Sequence, residues 1–147
     1  MSEYRKILLA VDLSDNSEVV GQRAVDVANR YQADICLVHV VEYVPVEPMG
    51  EALLPSVQIE DELVNSAKTR FETLAASLGL SDATRFVEVG NIKAEVIRVA
   101  KEQECDLIVL GCHERHGLAI IINFTEDTVL HAAPCDVLAV RLGGRNS

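Results

Sequence analysis

The stretch that decides the fold is Asp106–Arg141, DLIVLGCHERHGLAIIINFTEDTVLHAAPCDVLAVR. It predicts a buried strand at Leu107–Leu110 that ends at Gly111, then a loop, a short helix from about Thr125 and a last strand at Val137–Val140. Strand, glycine, loop and helix start is the arrangement in which backbone N–H groups bind nucleotide phosphates. We therefore expect the upstream residues to form the scaffold that presents this loop.

Three upstream segments have the composition of strands. Ile7–Val11 and Ile35–Val41 are continuous apolar runs, as expected of central parallel strands that are covered on both faces. Thr84–Val89 alternates polar and apolar residues, which predicts a strand at a sheet edge. An aspartate stands just before three of the predicted strands, and we interpret these residues as turn residues: Asp34, Asp106 and Asp136.

Helical periodicity fills the intervals between these strands. The first predicted helix runs to about Gln32 and begins with a capping box formed by Asp15 and Glu18. The second has its first apolar position at Ile59, after an irregular proline-containing connection, and the third opens at Asn91. Alternation of strands and helices predicts an α/β fold: one parallel sheet with helices on both faces, joined by right-handed crossovers.

Size and composition restrict the class of protein. The 147 residues, 1–147, are expected to form one domain, and 49% of them are hydrophobic. No apolar run reaches the roughly 18 residues of a membrane span, and the N-terminal run is followed at once by Asp12, as in a strand rather than a signal peptide. A cytoplasmic protein is expected. The net charge of −10 and the scattered 13 Lys and Arg residues argue against nucleic acid or a membrane as partner.

The reactive side chains form no catalytic signature in the sequence. Three of the four cysteines lie in or beside apolar strands, where a thiol behaves as a small hydrophobe: Cys36, Cys105 and Cys135. No disulfide framework is expected. Cys112, His113 and His116 could bind a metal, but no second pair of ligands is present, and an exposed polar loop is the preferred interpretation. His39 is interpreted as a structural histidine. No nucleophile–base motif occurs, so we predict a protein that is not an enzyme, with slow ATP hydrolysis left open.

Several segments of the chain resemble the universal stress protein family, and the resemblance covers essentially the whole chain. These segments are ILLAVDLSDNS at 7–17, ICLVHVVE at 35–42, Gly90 before a helix, LIVLGCHE at 107–114 and VLHAAPCDVLAVR at 129–141. The resemblance implies a Rossmann-like fold of the adenine nucleotide alpha hydrolase type, with five strands in the order 3-2-1-4-5. It also implies a role in tolerance of starvation, oxidants and DNA-damaging agents, exerted through protein partners.

The resemblance further implies a homodimer that forms through the last strand, which pairs antiparallel with its twin. An apolar terminal strand is an exposed edge that has to be covered, which agrees with this expectation. The positions carried over to the dimer interface are Val137, Leu138, Ala139, Val140 and Arg141.

Members of the family differ in whether they bind ATP. The resemblance implies a set of candidate nucleotide-binding positions: Asp12, Val40, Gly111, His113, Gly117 and Thr125. ATP-binding members carry a Gly-x-x-Gly turn and a later Gly-Ser or Gly-Thr pair. Here Glu114 stands at the second glycine, and Asn123-Phe124 or Phe124-Thr125 replaces the final pair, according to the alignment.

Glu114 also adds a negative charge where a triphosphate would lie. At about 4 Å two like charges repel by roughly 1 kcal/mol in water and about 4 kcal/mol at an effective dielectric of 20. We therefore expect the universal stress protein A type, with no cofactor and no tight ATP binding. An ATP-binding switch with a degenerate glycine loop is the alternative. A metal or redox sensor built on Cys112 and its neighbouring histidines is a third class.

Overall fold

Five parallel strands form one sheet in the order β3-β2-β1-β4-β5, which confirms the predicted fold. The computed structural model describes residues 4–42, 53–113 and 133–142, with the backbone alone for 53–60, 112 and 113. In chain order the elements are β1 (Lys6–Ala10), α1 (Ser17–Tyr31), β2 (Asp34–Val41), α2 (Leu53–Ser77), β3 (Arg85–Val89), α3 (Ile92–Glu102), β4 (Leu107–His113) and β5 (Asp136–Leu142). No helix in these ranges is long and apolar enough to cross a membrane.

Each face of the sheet carries its own apolar core, because successive side chains of a strand point to opposite faces. The first core lies under α1 and α2 and includes Leu9 and Leu37 of the central strands and Phe71 of α2. The second lies under α3 and includes Leu8 and Ile108. Burial on both faces explains why the central strands are continuous apolar runs.

The helix starts differ from the sequence predictions in two of three cases. The N-cap of α1 is Asn16 and its side chain makes no capping hydrogen bond, so the predicted Asp15–Glu18 capping box is wrong. α2 begins at Leu53, upstream of Ile59, and includes Pro55 in its first turn, where a missing N–H costs no intrahelical bond. The prediction for α3 is confirmed, since the Asn91 side chain accepts a hydrogen bond from the Ala94 N–H at 2.9 Å.

Asp106 joins two neighbouring strands at the amino edge of the sheet. Its carboxylate accepts hydrogen bonds from the backbone N–H of Arg5 at 3.0 and 3.1 Å and from that of Lys6 at 3.0 Å. Asp136, at the start of β5, accepts a hydrogen bond from the Tyr4 hydroxyl at 2.8 Å. The interpretation of these two aspartates as turn residues is therefore incomplete, because both hold the N-terminal segment against the second half of the sheet.

Candidate functional site

The carboxyl edge of the sheet is the predicted site, and the strand order places a crevice there. β1 is central, with β2 and β3 added on one side and β4 and β5 on the other, so the order reverses between β1 and β4. Ligands of open parallel sheets bind outside the strand ends at such a reversal. Asp12 follows β1, Val40 is near the end of β2, and Gly111 and His113 belong to the end of β4.

The structure thus brings four candidate nucleotide-binding positions to one edge, whereas Gly117 and Thr125 lie outside the described residues. The Val40 side chain is 7% exposed and packs in the core under α3. Only the backbone of His113 is described, and it pairs with Leu142 of β5.

Asp12 shapes the turn that leads from β1 into α1. Its Oδ1 accepts hydrogen bonds from the Ser14 N–H at 2.9 Å and from the hydroxyl of Ser17 at 3.2 Å. Ser17 is 5% exposed, so the bond to Asp12 gives its buried hydroxyl a partner at the start of α1. Asp12 therefore has a structural role at the position where the family resemblance implies a ligand contact.

Two side chains from other elements contact backbone carbonyl groups of the same turn. Arg70 of α2 donates from Nη2 to the carbonyl of Leu13, a buried residue with φ of 61°. His39 of β2 contacts the carbonyl of Val11 through Nδ1 at 2.9 Å. Sequence reasoning missed Arg70, because it is 57 positions from Leu13 and nothing in its own neighbourhood marks it.

His39 is held as a neutral imidazole. Burial lowers its pKa, and the positive charge of Arg70 acts in the same direction, whereas the bond to Val11 and the charge of Asp12 oppose the shift. Since a carbonyl oxygen can only accept, Nδ1 carries the proton. The ring also lies edge-on to Phe71, with 6.3 Å between ring centroids. These contacts agree with the predicted structural role.

Replacing His39 by asparagine is expected to flatten the dependence of stability on pH. The folded histidine resists protonation, so the unfolded chain binds the additional proton, and the free energy of unfolding falls as pH drops below the ordinary value of 6.5. His39→Asn keeps a donor near the Val11 carbonyl but loses the ring, at a cost of about 1–2 kcal/mol at about pH 8. Urea denaturation at about pH 8 and about pH 5 measures both terms. An unchanged pH slope in the variant would contradict this assignment.

Gly111 does not end β4, contrary to the sequence prediction. The strand continues to His113, and Gly111 pairs with Val140 of β5. A Cβ at this glycine would come within 2.7 Å of a methyl group of Leu142 and 3.0 Å of one of Val20. The close approach of α1 and β5 therefore accounts for the glycine, without a left-handed backbone conformation at this position.

The predicted dimer strand is the outer edge of the sheet. In the part of the chain that the structure describes, β5 pairs with β4 on one side and with no strand on the other. Val140 is 3% exposed and Leu142 is 4% exposed, since both pack into the core under α1 and α2. Ala139, at the middle of the predicted interface, is exposed.

Most of the predicted polar loop that contains Cys112, His113 and His116 lies outside the described residues. Residues 4–42, 53–113 and 133–142 contain no group of three or more His, Cys, Asp or Glu residues placed to hold a metal ion. The structure describes only the backbone of Cys112 and His113, and His116 lies outside the described residues.

Comparison with known proteins agrees with this geometry. The model of the family described as "Universal stress protein family" matches residues 3–141. Universal stress protein A homolog 2 of Coxiella burnetii is 36% identical over 145 residues, which is 98% of this chain and 99% of the relative. The structure of the universal stress protein UspA from Lactobacillus plantarum superposes with a TM-score of 0.81 at 28% identity, over 96% of this chain and 100% of that one.

A further comparison concerns the fold alone. A universal stress protein solved in complex with cAMP has a TM-score of 0.62 at 21% identity, with 95% of this chain and 98% of that chain covered. The strand order, the match to the family model and the sequence identities all indicate the same family. This chain belongs to the universal stress protein family.

Proposed function

We propose that this protein is a cytoplasmic, homodimeric stress-tolerance protein of the universal stress protein A type. It acts through contacts with protein partners, without tight ATP binding and without catalytic activity. The observation that carries the proposal is the position of β5, which has a neighbouring strand on one side only within the residues that the structure describes. An edge strand is a template for the addition of another strand, and a second copy of β5 would continue the sheet by symmetry.

The side chains of β5 suit a symmetric interface. Val137 and Leu138 are half-buried against the two cores and Ala139 is exposed, so the middle of the edge strand consists of apolar residues, with a small exposed one at Ala139. Antiparallel pairing about a two-fold axis at the middle of residues 137–141 would place the two copies of Ala139 close to the axis. A small side chain at that point allows the two backbones to approach.

Three features support the absence of tight ATP binding. The sequence of the loop after β4 has Glu114 where ATP-binding relatives have glycine, and the chain carries a net charge of −10. In addition, Oδ1 of Asp12 is engaged by the turn into α1. A triphosphate would therefore meet repulsion and a carboxylate that already has donors.

Native mass spectrometry of the purified protein tests the dimer. We expect the wild-type chain to be a dimer, and Ala139→Glu to weaken the dimer by about 10–100-fold, because two carboxylates would face each other across the axis. Ala76→Glu, which changes an exposed alanine of α2, is the matched control and is expected to leave the dimer intact. Circular dichroism checks that both variants are folded. A monomeric wild-type protein, or a dimer indifferent to Ala139→Glu, would contradict the proposal.

A nucleotide-binding switch is the second candidate function. It is favoured by the position of Asp12, Val40 and Gly111 at one crevice, and by the relative of the same fold that was solved with cAMP. Isothermal titration with Mg-ATP and with cAMP separates the two candidates. We expect no binding at micromolar concentrations, and micromolar affinity for either nucleotide would favour the switch.

A further inference from the structure

Two cysteines that are far apart in sequence have their thiols in contact. The Sγ atoms of Cys36 and Cys105 are 3.8 Å apart, although 69 positions separate the residues. Cys36 lies in β2, and Cys105 lies in the connection between α3 and β4, so the contact spans the face of the sheet under α3. The side chains are 2% and 7% exposed, and both are free thiols.

The surroundings of this thiol pair make its two sulfurs chemically different. The pKa of Cys36 is lowered by its hydrogen bond with the Cys105 thiol and by the charge of Lys6, while burial opposes this shift. The pKa of Cys105 is raised by the same hydrogen bond and by burial. The lowered pKa favours the thiolate at Cys36, and the thiolate is the nucleophilic form of a cysteine.

The third described cysteine does not share this property. Cys135 packs against the same core and is half-buried. Burial raises its pKa to about 11, and the charges of Asp106 and Asp136 act in the same direction. Cys135 is thus a protonated, weakly nucleophilic neighbour of a more reactive pair.

We propose that Cys36 and Cys105 are an oxidisable dithiol, which a small hydroperoxide converts into an intramolecular disulfide. The Cys36 thiolate attacks one peroxide oxygen, the O–O bond breaks, and the leaving oxygen takes a proton to form an alcohol or, from hydrogen peroxide, water. The Cys105 sulfur then attacks the Cys36 sulfenic acid, the S–O bond breaks, and the hydroxide that leaves takes the Cys105 proton as water. Each sulfur loses one electron, and the two peroxide oxygens gain them.

The sulfur atoms have only a short distance to travel. A disulfide has its sulfurs about 2.05 Å apart, so the present 3.8 Å has to shorten by roughly 1.8 Å. Cys105 lies in the connection between α3 and β4, where its backbone N–H donates to the carbonyl of Ala100 at 2.9 Å. Rotation of the two side chains therefore has to supply most of this movement.

Peroxide treatment of the reduced, folded protein tests the proposal. After alkylation under denaturing conditions, the oxidised chain should carry two alkyl groups fewer than the reduced chain, and non-reducing peptide mapping should join the Cys36 and Cys105 peptides. The Tm should rise by about 5–10 °C and return on reduction, because the bridge closes a long loop of the unfolded chain.

Two variants locate the reaction within the chain. Cys135→Ser is expected to form the same bridge, whereas Cys105→Ser should form none and should leave a Cys36 sulfenic acid that a dimedone probe captures. Joined peptides that contain Cys112 or Cys135, a bridge between two chains, or persistence of both thiols in the folded wild-type protein would each overturn the proposal. The wild-type peptide map decides the matter even if Cys105→Ser fails to fold. None of these outcomes depends on the dimer or on nucleotide binding.

Discussion

Replacing Phe71 by alanine is expected to lower the free energy of unfolding by about 3–5 kcal/mol. Phe71 is 1% exposed and is the largest of the fully buried side chains among the described residues. It lies in the core under α1 and α2 and packs against the ring of His39. Removal of the ring loses its transfer free energy and leaves a cavity that the neighbouring strands cannot fill, since they are hydrogen-bonded on both sides. Urea denaturation measures the loss, which corresponds to a decrease of about 10 °C in Tm.

Phe86→Ala is the matched control for this prediction. Phe86 lies in the edge strand β3 and is half-buried against the core under α3. The same truncation there removes less buried area and leaves a site open to water, so we expect a loss of about 1–2 kcal/mol. Equal losses for the two variants would mean that α2 packs less tightly on the sheet than the burial of Phe71 indicates.

Asp106→Ala is expected to cost about 2–4 kcal/mol, because one carboxylate satisfies two backbone donors at the start of β1. The N–H groups of Arg5 and Lys6 both donate to it. Their amide hydrogens should exchange faster in the variant, which native-state hydrogen exchange measures residue by residue.

Two further substitutions separate the carboxylate from a general effect of losing an aspartate. Asp106→Asn keeps one acceptor oxygen and should retain part of the stability. Asp34→Ala removes an exposed aspartate from the same edge of the sheet and should change stability by less than about 0.5 kcal/mol. If Asp106→Ala and Asp34→Ala cost the same, the hydrogen bonds to Arg5 and Lys6 contribute nothing to stability.

Some residues of the candidate site could be placed from the sequence, and others could not. Asp12 and Val40 could be placed at strand ends because apolar runs and turn residues mark those ends locally. The role of Gly111 could not be predicted, since its reason lies in Leu142 and Val20, which reach it only after β5 and α1 have packed. The role of Arg70 could not be predicted either, because its acceptor is a backbone carbonyl in a turn that is distant in the sequence.

What the sequence by itself determined is the set of elements and the faces they bury. Runs of apolar residues identified the central strands, alternating residues placed β3 at an edge, and Asn91 marked the start of α3, because each of these signals arises within a few neighbouring residues. The parallel α/β class followed from their alternation.

Only the tertiary structure decided the pairing of groups that the chain holds far apart. It joined Asp106 to the amides at the start of β1, and it brought the thiols of Cys36 and Cys105, which are 69 positions apart in the sequence, to 3.8 Å from each other. The tertiary structure also extended β4 beyond Gly111, because Cys112 and His113 pair with residues of β5 up to Leu142. These contacts depend on strand order and register, which place residues from different elements at one level of the sheet, and no local pattern contains that information.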